Sequence, residues 1–165
     1  MSSLPKSSPL TTAQPSRQLF FYRMQPADLD AVLAIENDVY PFPWTRGNFM
    51  DSIASGYETW VLRDGLGTIH GYFLLMLSVD DAHLLNITVD RGLQGRGIGL
   101  MLLHKARAIA RSRGLSAILL EVRPSNERAA KIYLRYGFDR IGVRRGYYPA
   151  ENNTREDAIV MRLML

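Results

Sequence analysis

Three glycines alternate in the stretch "QGRGIGLMLL", at Gly95, Gly97 and Gly99, and run directly into an apolar segment. Glycines so placed expose successive backbone N–H groups at a helix start, where the peptide dipoles add partial positive charge. A pyrophosphate is a ligand that such a cradle suits. Arg96 adds a formal charge. Two strict phosphate loops fail on single residues: a dinucleotide fingerprint counted from Gly95 needs glycine where Leu100 stands, and a nucleoside-triphosphate loop spanning Gly92 and Gly97 needs lysine where Ile98 stands. A glycine turn packed between a strand and a helix is the remaining alternative. Further on, Glu121 lies inside "AILLEV", where an ionisable group needs a partner or a raised pKa unless it faces water at the strand end. Tyr133 falls on the apolar stripe of the next helix, as a core tyrosine would, and Asn126 is placed to cap that helix. All of these lie near the C-terminal edge of crossover strands or at helix starts, the usual ligand crevice of α/β sheets.

The elements that must hold these residues follow from periodicity. "LFFYRM" from Leu19 suits a first strand; Pro26 then stands at a first helical position ahead of Leu29, Val32, Leu33 and Val39, with the helix ending before Pro41. Thr45 can cap a second helix, stapled by Trp44 and Phe49 and stopped at Gly56. "TWVLR", "IHGYFLLML" and "AHLLNITV" read as three strands of an antiparallel meander joined through "DGLGT" and "SVDD". A helix near 97–113 follows, with Ile98, Leu102, Ala106 and Ile109 on its apolar stripe and Gly114 as its stop. "AILLEV" then implies a right-handed parallel crossover. A helix carrying Ala129, Ile132, Tyr133 and Tyr136 closes at Gly137, and two last strands, Arg140 to Tyr147 and Ala158 to Leu165, flank the polar loop "PAENNTRE". The expected fold class is α/β: a mixed, mostly antiparallel central sheet with one parallel crossover and flanking helices.

Composition narrows the function. At 165 residues the chain suits one domain, over 19–165, behind a Ser- and Pro-rich tail at 1–18. The tail lacks the apolar core of a secretory signal and has only Lys6 and Arg17 as basic residues, which points to a flexible tail rather than a transit peptide. There is no cysteine, which removes disulfides, thiolate nucleophiles and cysteine-based zinc sites. His70, His83 and His104 have no metal-ligand spacing, so no metal is expected. No apolar run approaches the roughly 20 residues of a membrane span. The net charge of +4 favours an anionic partner, and a phosphate-bearing cofactor satisfies it as well as nucleic acid would.

"QGRGIG" fits, through Gln94, Gly97 and Gly99, the Q/R-x-x-G-x-G/A signature of the GNAT superfamily of N-acetyltransferases. "LLNITVD", "LLEVRPSN", "KIYLRYGF", "RRGYYP" and "REDAIVM" together resemble its bacterial ribosomal-protein alanine N-acetyltransferases of the RimI type, over about residues 19–165. The resemblance implies acetyl-CoA in a splayed gap between two central strands. Its pantetheine would contact the backbone of Ile87, Thr88 and Val89, and its pyrophosphate that of Gly95, Arg96, Gly97, Ile98, Gly99 and Leu100, with Gln94 in the signature and Asn126 a further contact. It also implies Glu121 as proton acceptor and Tyr133 as proton donor. Pro124 after "LEVR", and the variable signature positions Gly95 and Arg96, are the departures.

That chemistry suits the residues. Acetyl transfer from a thioester to an amine needs a neutral amine, a donor for the oxyanion and a proton for the departing thiolate. Glu121 could take the amine proton directly or through water, Tyr133 could protonate the sulfur, and a backbone N–H near Ile87 to Val89 could meet the oxyanion. At pH 7.5 roughly a third of an α-amino group but only about a thousandth of a lysine side chain is neutral, so one modest base fits an N-terminus better. "YPFPW", with Phe42 and Trp44, and "GYYP", with Tyr147 and Tyr148, could wall a groove for the acceptor's first residues, or simply pack over the core. The expected activity is acetylation of a protein N-terminal α-amine, with the alanine of a small-subunit ribosomal protein as acceptor, in the cytoplasm and without direct nucleic-acid or membrane binding. Acetylation of a lysine or small amine, a non-catalytic acetyl-CoA-binding module and a basic RNA-binding module are the alternatives, the last carried by charge alone.

Overall fold

The computed structural model describes residues 18–165; the tail expected at 1–18 lies, but for Gln18, outside the described residues. Among the described residues seven strands form one sheet in the order β1-β2-β3-β4-β5-β7-β6. They are β1 (Leu19–Arg23), β2 (Glu58–Asp64), β3 (Ile69–Leu77), β4 (Asp81–Val89), β5 (Ala117–Val122), β6 (Asp139–Ala150) and β7 (Thr154–Met164). Only β4 and β5 pair in parallel; every other neighbour is antiparallel. This is the mixed sheet with one crossover that the periodicity predicts.

Among the described residues four α-helices cover the two faces: α1 (Leu29–Val39), α2 (Arg46–Ala54), α3 (Ile98–Ser112) and α4 (Glu127–Tyr136). Ile98, Leu102, Leu103, Ala106 and Ala110 of α3 pack against Phe73, Leu75, Leu84, Ile118 and Leu120, while Leu29, Val32, Ile35 and Phe49 pack with Val61, Tyr72 and Leu74 on the other face. Burial on both faces explains why β3 reads as a nearly continuous apolar run. Thr45 caps α2 by accepting the Asn48 N–H, and Asn48 reaches back to the Thr45 N–H.

Two expectations need correction. Pro26 opens a single 3-10 turn, Pro26–Asp28, and α1 starts only at Leu29; Asp28 there receives the Gln25 N–H at 2.7 Å and an ion pair from Arg63, which closes the turn before the α-helix begins. The loop expected over "PAENNTRE" shrinks to 151–153, because β6 and β7 continue as one long hairpin. Arg155 donates to the carbonyls of Gly146 and Tyr147 where the register shifts, and so holds polar residues in strand conformation.

Two irregularities prepare a site. Parallel pairing of β4 with β5 runs only from Asp81 to His83, after which the strands part. In β4 the register against β3 skips Leu85: Leu75 faces Leu84 and Leu74 faces Asn86. Such a bulge reverses the alternation of faces. Ala82 and Leu84 therefore pack on the α3 side, whereas Asn86 and Thr88 turn their side chains toward α1.

Candidate active site

The parting of β4 and β5 opens two adjoining clefts. One, of about 410 Å³, runs along Ile87, Thr88 and Val89 to Gln94, Gly95 and Gly99. The other, of about 280 Å³, is walled by Phe42, Trp44 and Tyr148 and has Glu36 and Glu121 in its lining. Tyr40, Phe42, Ile87, Arg123, Asn126 and Tyr133 belong to both and form the shared wall.

The larger cleft ends at the start of α3. Gly95 and Gly97 adopt φ of 79° and 83°, left-handed backbone that a side chain strains, and Gly97 is the N-cap with no side chain to satisfy the helix. The first intrahelical bond is Met101 N–H to Gly97 O, at 3.2 Å, so the N–H groups of Ile98, Gly99 and Leu100 have no acceptor within the helix. Arg91 and Arg128 add charge along the lining; Arg128 bonds Gln94 Oε1 at 3.1 Å, and Gln94 Nε2 reaches back to Val89 O. Backbone donors at a helix dipole with guanidinium groups beside them fit the pyrophosphate of acetyl-CoA. Gln94, Gly95 and Gly99 line the cleft, whereas Arg96, Gly97, Ile98 and Leu100 are not in its lining; the Ile98 side chain is core and that of Leu100 is exposed. Asn126 caps α4 by accepting the Ala129 N–H at 3.3 Å and lines both clefts.

The smaller cleft is built from side chains. The Glu121 side chain is only 8% exposed and is bonded by His83 Nε2 on one oxygen, while Arg144 Nε stands 3.5 Å from the other. Tyr133 lies against Phe138, ring centroids 5.7 Å apart. Burial pushes its hydroxyl above the usual tyrosine range, with the neighbouring Tyr40 and Tyr148 adding to the shift, so Tyr133 stays protonated wherever an amine nucleophile can work. Arg123 threads between the two aromatic segments, its guanidinium 5.1 Å from the Phe42 ring and 4.3 Å from Tyr148, and it bonds Pro149 O and Glu156. Tyr148 lines the cleft but Tyr147 does not: Tyr147 packs edge-on against the Tyr148 ring, under the Arg144 guanidinium, where the strand register shifts.

Sequence reasoning passed over a second buried carboxylate. Glu36, on α1, is 1% exposed and accepts bonds from Tyr72 Oη, the Trp44 N–H at 3.0 Å and Asn86 Nδ2. It thereby ties the aromatic loop to β3 and β4. Tyr40 donates to Ile87 O at 3.0 Å and lies 2.9 Å from Thr88 Oγ1; burial pushes its pKa up to about 12, against the Thr88 bond and with the Glu36 charge assisting. The signal for Glu36 was available: it sits at the 29, 32, 36 spacing of the buried stripe of α1. Nothing local marks His83 or Arg123, whose partners are distant in the chain. Among the described residues no group of His, Asp and Glu could hold a metal, and no helix is long and apolar enough to cross a membrane.

Residues 29–138 match the sequence model of the acetyltransferase (GNAT) family. The chain is 34% identical over 140 residues to the [ribosomal protein bS18]-alanine N-acetyltransferase of Escherichia coli (strain K12), spanning 85% of this chain and 93% of that one. The crystal structure of the ribosomal-protein-S18-alanine N-acetyltransferase from Escherichia coli superposes with a TM-score of 0.80 at 33% identity, over 89% of this chain and 94% of the other. Chaetomium thermophilum Naa20, solved with a bisubstrate analogue, has a TM-score of 0.77 at 25% identity, covering 88% and 86%.

Proposed function

The chain belongs to the acetyltransferase (GNAT) family, and on that premise we propose that it acetylates the N-terminal α-amine of a protein, with the alanine that begins a bacterial S18 ribosomal protein as acceptor. An acceptor of that kind places the reaction in the cytoplasm. The observation that carries the reading is the division of labour between the clefts: the backbone cradle opens only into the larger, Glu121 only into the smaller, and Tyr133 into both. A donor entering from one side and an amine from the other would meet at Tyr133.

When bound, acetyl-CoA supplies an activated acyl group: the amine nitrogen forms a bond to the thioester carbon, the C–S bond breaks, and the amide and a thiol result. Ile98, Gly99 and Leu100 hold the pyrophosphate through their N–H groups, flanked by Arg91 and Arg128. Glu121 receives the proton that the amine must lose, directly or through one water. Tyr133 keeps its proton until the departing sulfur needs it. Phe42, Trp44 and Tyr148 exclude water around the acceptor's first residues, which strengthens each electrostatic contact inside. The absence of cysteine excludes an acyl-cysteine relay, and direct attack needs none.

The test is incubation with acetyl-CoA and a peptide that copies the S18 N-terminus, run beside the same peptide with a blocked N-terminus and with lysine present in both. Mass spectrometry is expected to place one acetyl group on the free α-amine and none on the blocked peptide. Acetylation confined to lysine would sink the reading.

A further inference from the structure

We propose that His83 is a positioning residue for this reaction: it aims the Glu121 carboxylate and, through its own charge, sets the pH range in which that carboxylate accepts a proton. The inference rests on the reading of Glu121 as proton acceptor.

Place in the fold carries the argument. His83 is the last residue of β4 in parallel register with β5, opposite Leu119, and Glu121 lies two residues farther along the same face of β5. The imidazole therefore sits at the fork where the strands part, and its Nε2 reaches diagonally to Glu121 Oε2. Glu121 lines the acceptor cleft and His83 does not, so the imidazole acts on the carboxylate from behind and touches no substrate. Its side chain is 19% exposed, which leaves it access to protons from solvent, against 8% for Glu121.

The charged surroundings are few. From β6, Arg144 faces the other Glu121 oxygen at 3.5 Å, and the Tyr148 hydroxyl shares the field of Glu121. On β3 the residue opposite His83 is the apolar Met76. On β7, Arg162 stands in register with Leu119 and, across the next pair, with Asp139.

A neutral imidazole donating its Nε2–H holds the carboxylate in one orientation and leaves it able to accept a proton on the cleft side. An imidazolium at the same place would join Arg144 and set two cations against one carboxylate, lowering its proton affinity and repelling an arriving ammonium. An imidazole exchanges between these two charge states by gaining or losing one proton, which is what makes the arrangement sensitive to pH. A histidine that merely packed at the fork would confer no such pH dependence.

The experiment compares kcat/KM of His83→Gln with the parent from pH 5.5 to 8.5, on one N-terminal peptide. Glutamine can offer a donor near the position of Nε2 without titrating. The ratio of the two enzymes cancels the titration of the peptide's amine. The ratio of variant to parent is expected to rise about tenfold toward the acid end, as the parent alone loses base function. A ratio that stays flat or falls overturns the proposal. Thermal unfolding and acetyl-CoA binding establish that the variant is folded; should it not be, His83→Asn carries the same comparison. Glu121→Gln, assayed alongside, separates the two ideas. If it retains parental turnover, the reading of Glu121 fails and takes this proposal with it; if it is inactive while the ratio stays flat, only the role of His83 fails.

Discussion

The two clefts are built by different means. The larger ends in main-chain groups: three N–H donors at the head of α3, exposed because Gly97 has no side chain to cap them. The smaller is made of side chains gathered from α1, the loop before α2, β4, β5 and the β6–β7 hairpin. A diphosphate can be held by any backbone of the right shape, so that site is compact in sequence. An acceptor amine must be deprotonated, oriented and shielded, and each task draws on a group whose partner lies elsewhere in the chain.

Substitutions test that contrast, beginning with the largest effect. Glu121→Gln removes the proposed proton acceptor and is expected to lower kcat by about 10²–10⁴-fold, the usual range for a positioned acid or base. Calorimetry should find acetyl-CoA binding intact, and a matching loss of cofactor affinity would break the separation of the two clefts. Glu36→Gln leaves the donors Tyr72, Trp44 and Asn86 short of acceptors in a buried place. It should cost about 1–3 kcal/mol in denaturant unfolding and raise the peptide KM more than the acetyl-CoA KM.

Gly97→Ala probes the other side. Its φ of 83° strains any side chain, although a Cβ there would meet nothing within 4 Å. A cost of about 1–2 kcal/mol in the left-handed region predicts a several-fold weaker acetyl-CoA Kd, with peptide binding spared. Arg123→Met removes the guanidinium between Phe42 and Tyr148. Two such contacts, each worth about 0.5 kcal/mol at a solvent-accessible place, predict about a fivefold rise in peptide KM.

The smallest effect concerns the hairpin that carries Tyr148. Burial opposes ionisation of Glu156, but bonds from Ser125 and Arg123 outweigh it and hold its pKa below the usual carboxylate value. A depressed folded pKa means that the stabilisation is fully present above the unfolded carboxylate range and is lost as pH falls through the folded value. Tm measured from pH 3 to 7 should therefore fall less on acidification in Glu156→Gln than in the parent. Equal slopes would show that the hairpin is held by its strand pairing alone.

How much of this was legible follows the same division. Periodicity found the four helices and the single crossover, because each obeys a local pattern of burial. The glycine-capped helix start was legible because it is built from consecutive residues. The hairpin over 149–156 was misjudged as a loop, since polar composition usually marks one; here Arg155 satisfies carbonyls at the register shift. "YPFPW" and "GYYP" were visible as aromatic segments, but only the folded hairpin, with its register shift, separates Tyr148, in the cleft, from Tyr147, outside it.

The sequence by itself determined the glycine-capped start of α3, since free N–H groups there need no distant partner. Tertiary structure decided the rest of the chemistry. The bulge at Leu85 reverses the faces of β4 and turns Asn86 and Thr88 toward Glu36 and Tyr40. The fork beyond His83 sets an imidazole against a carboxylate 38 positions away in the chain. Such pairings depend on register and on where two strands stop bonding, which local pattern does not encode.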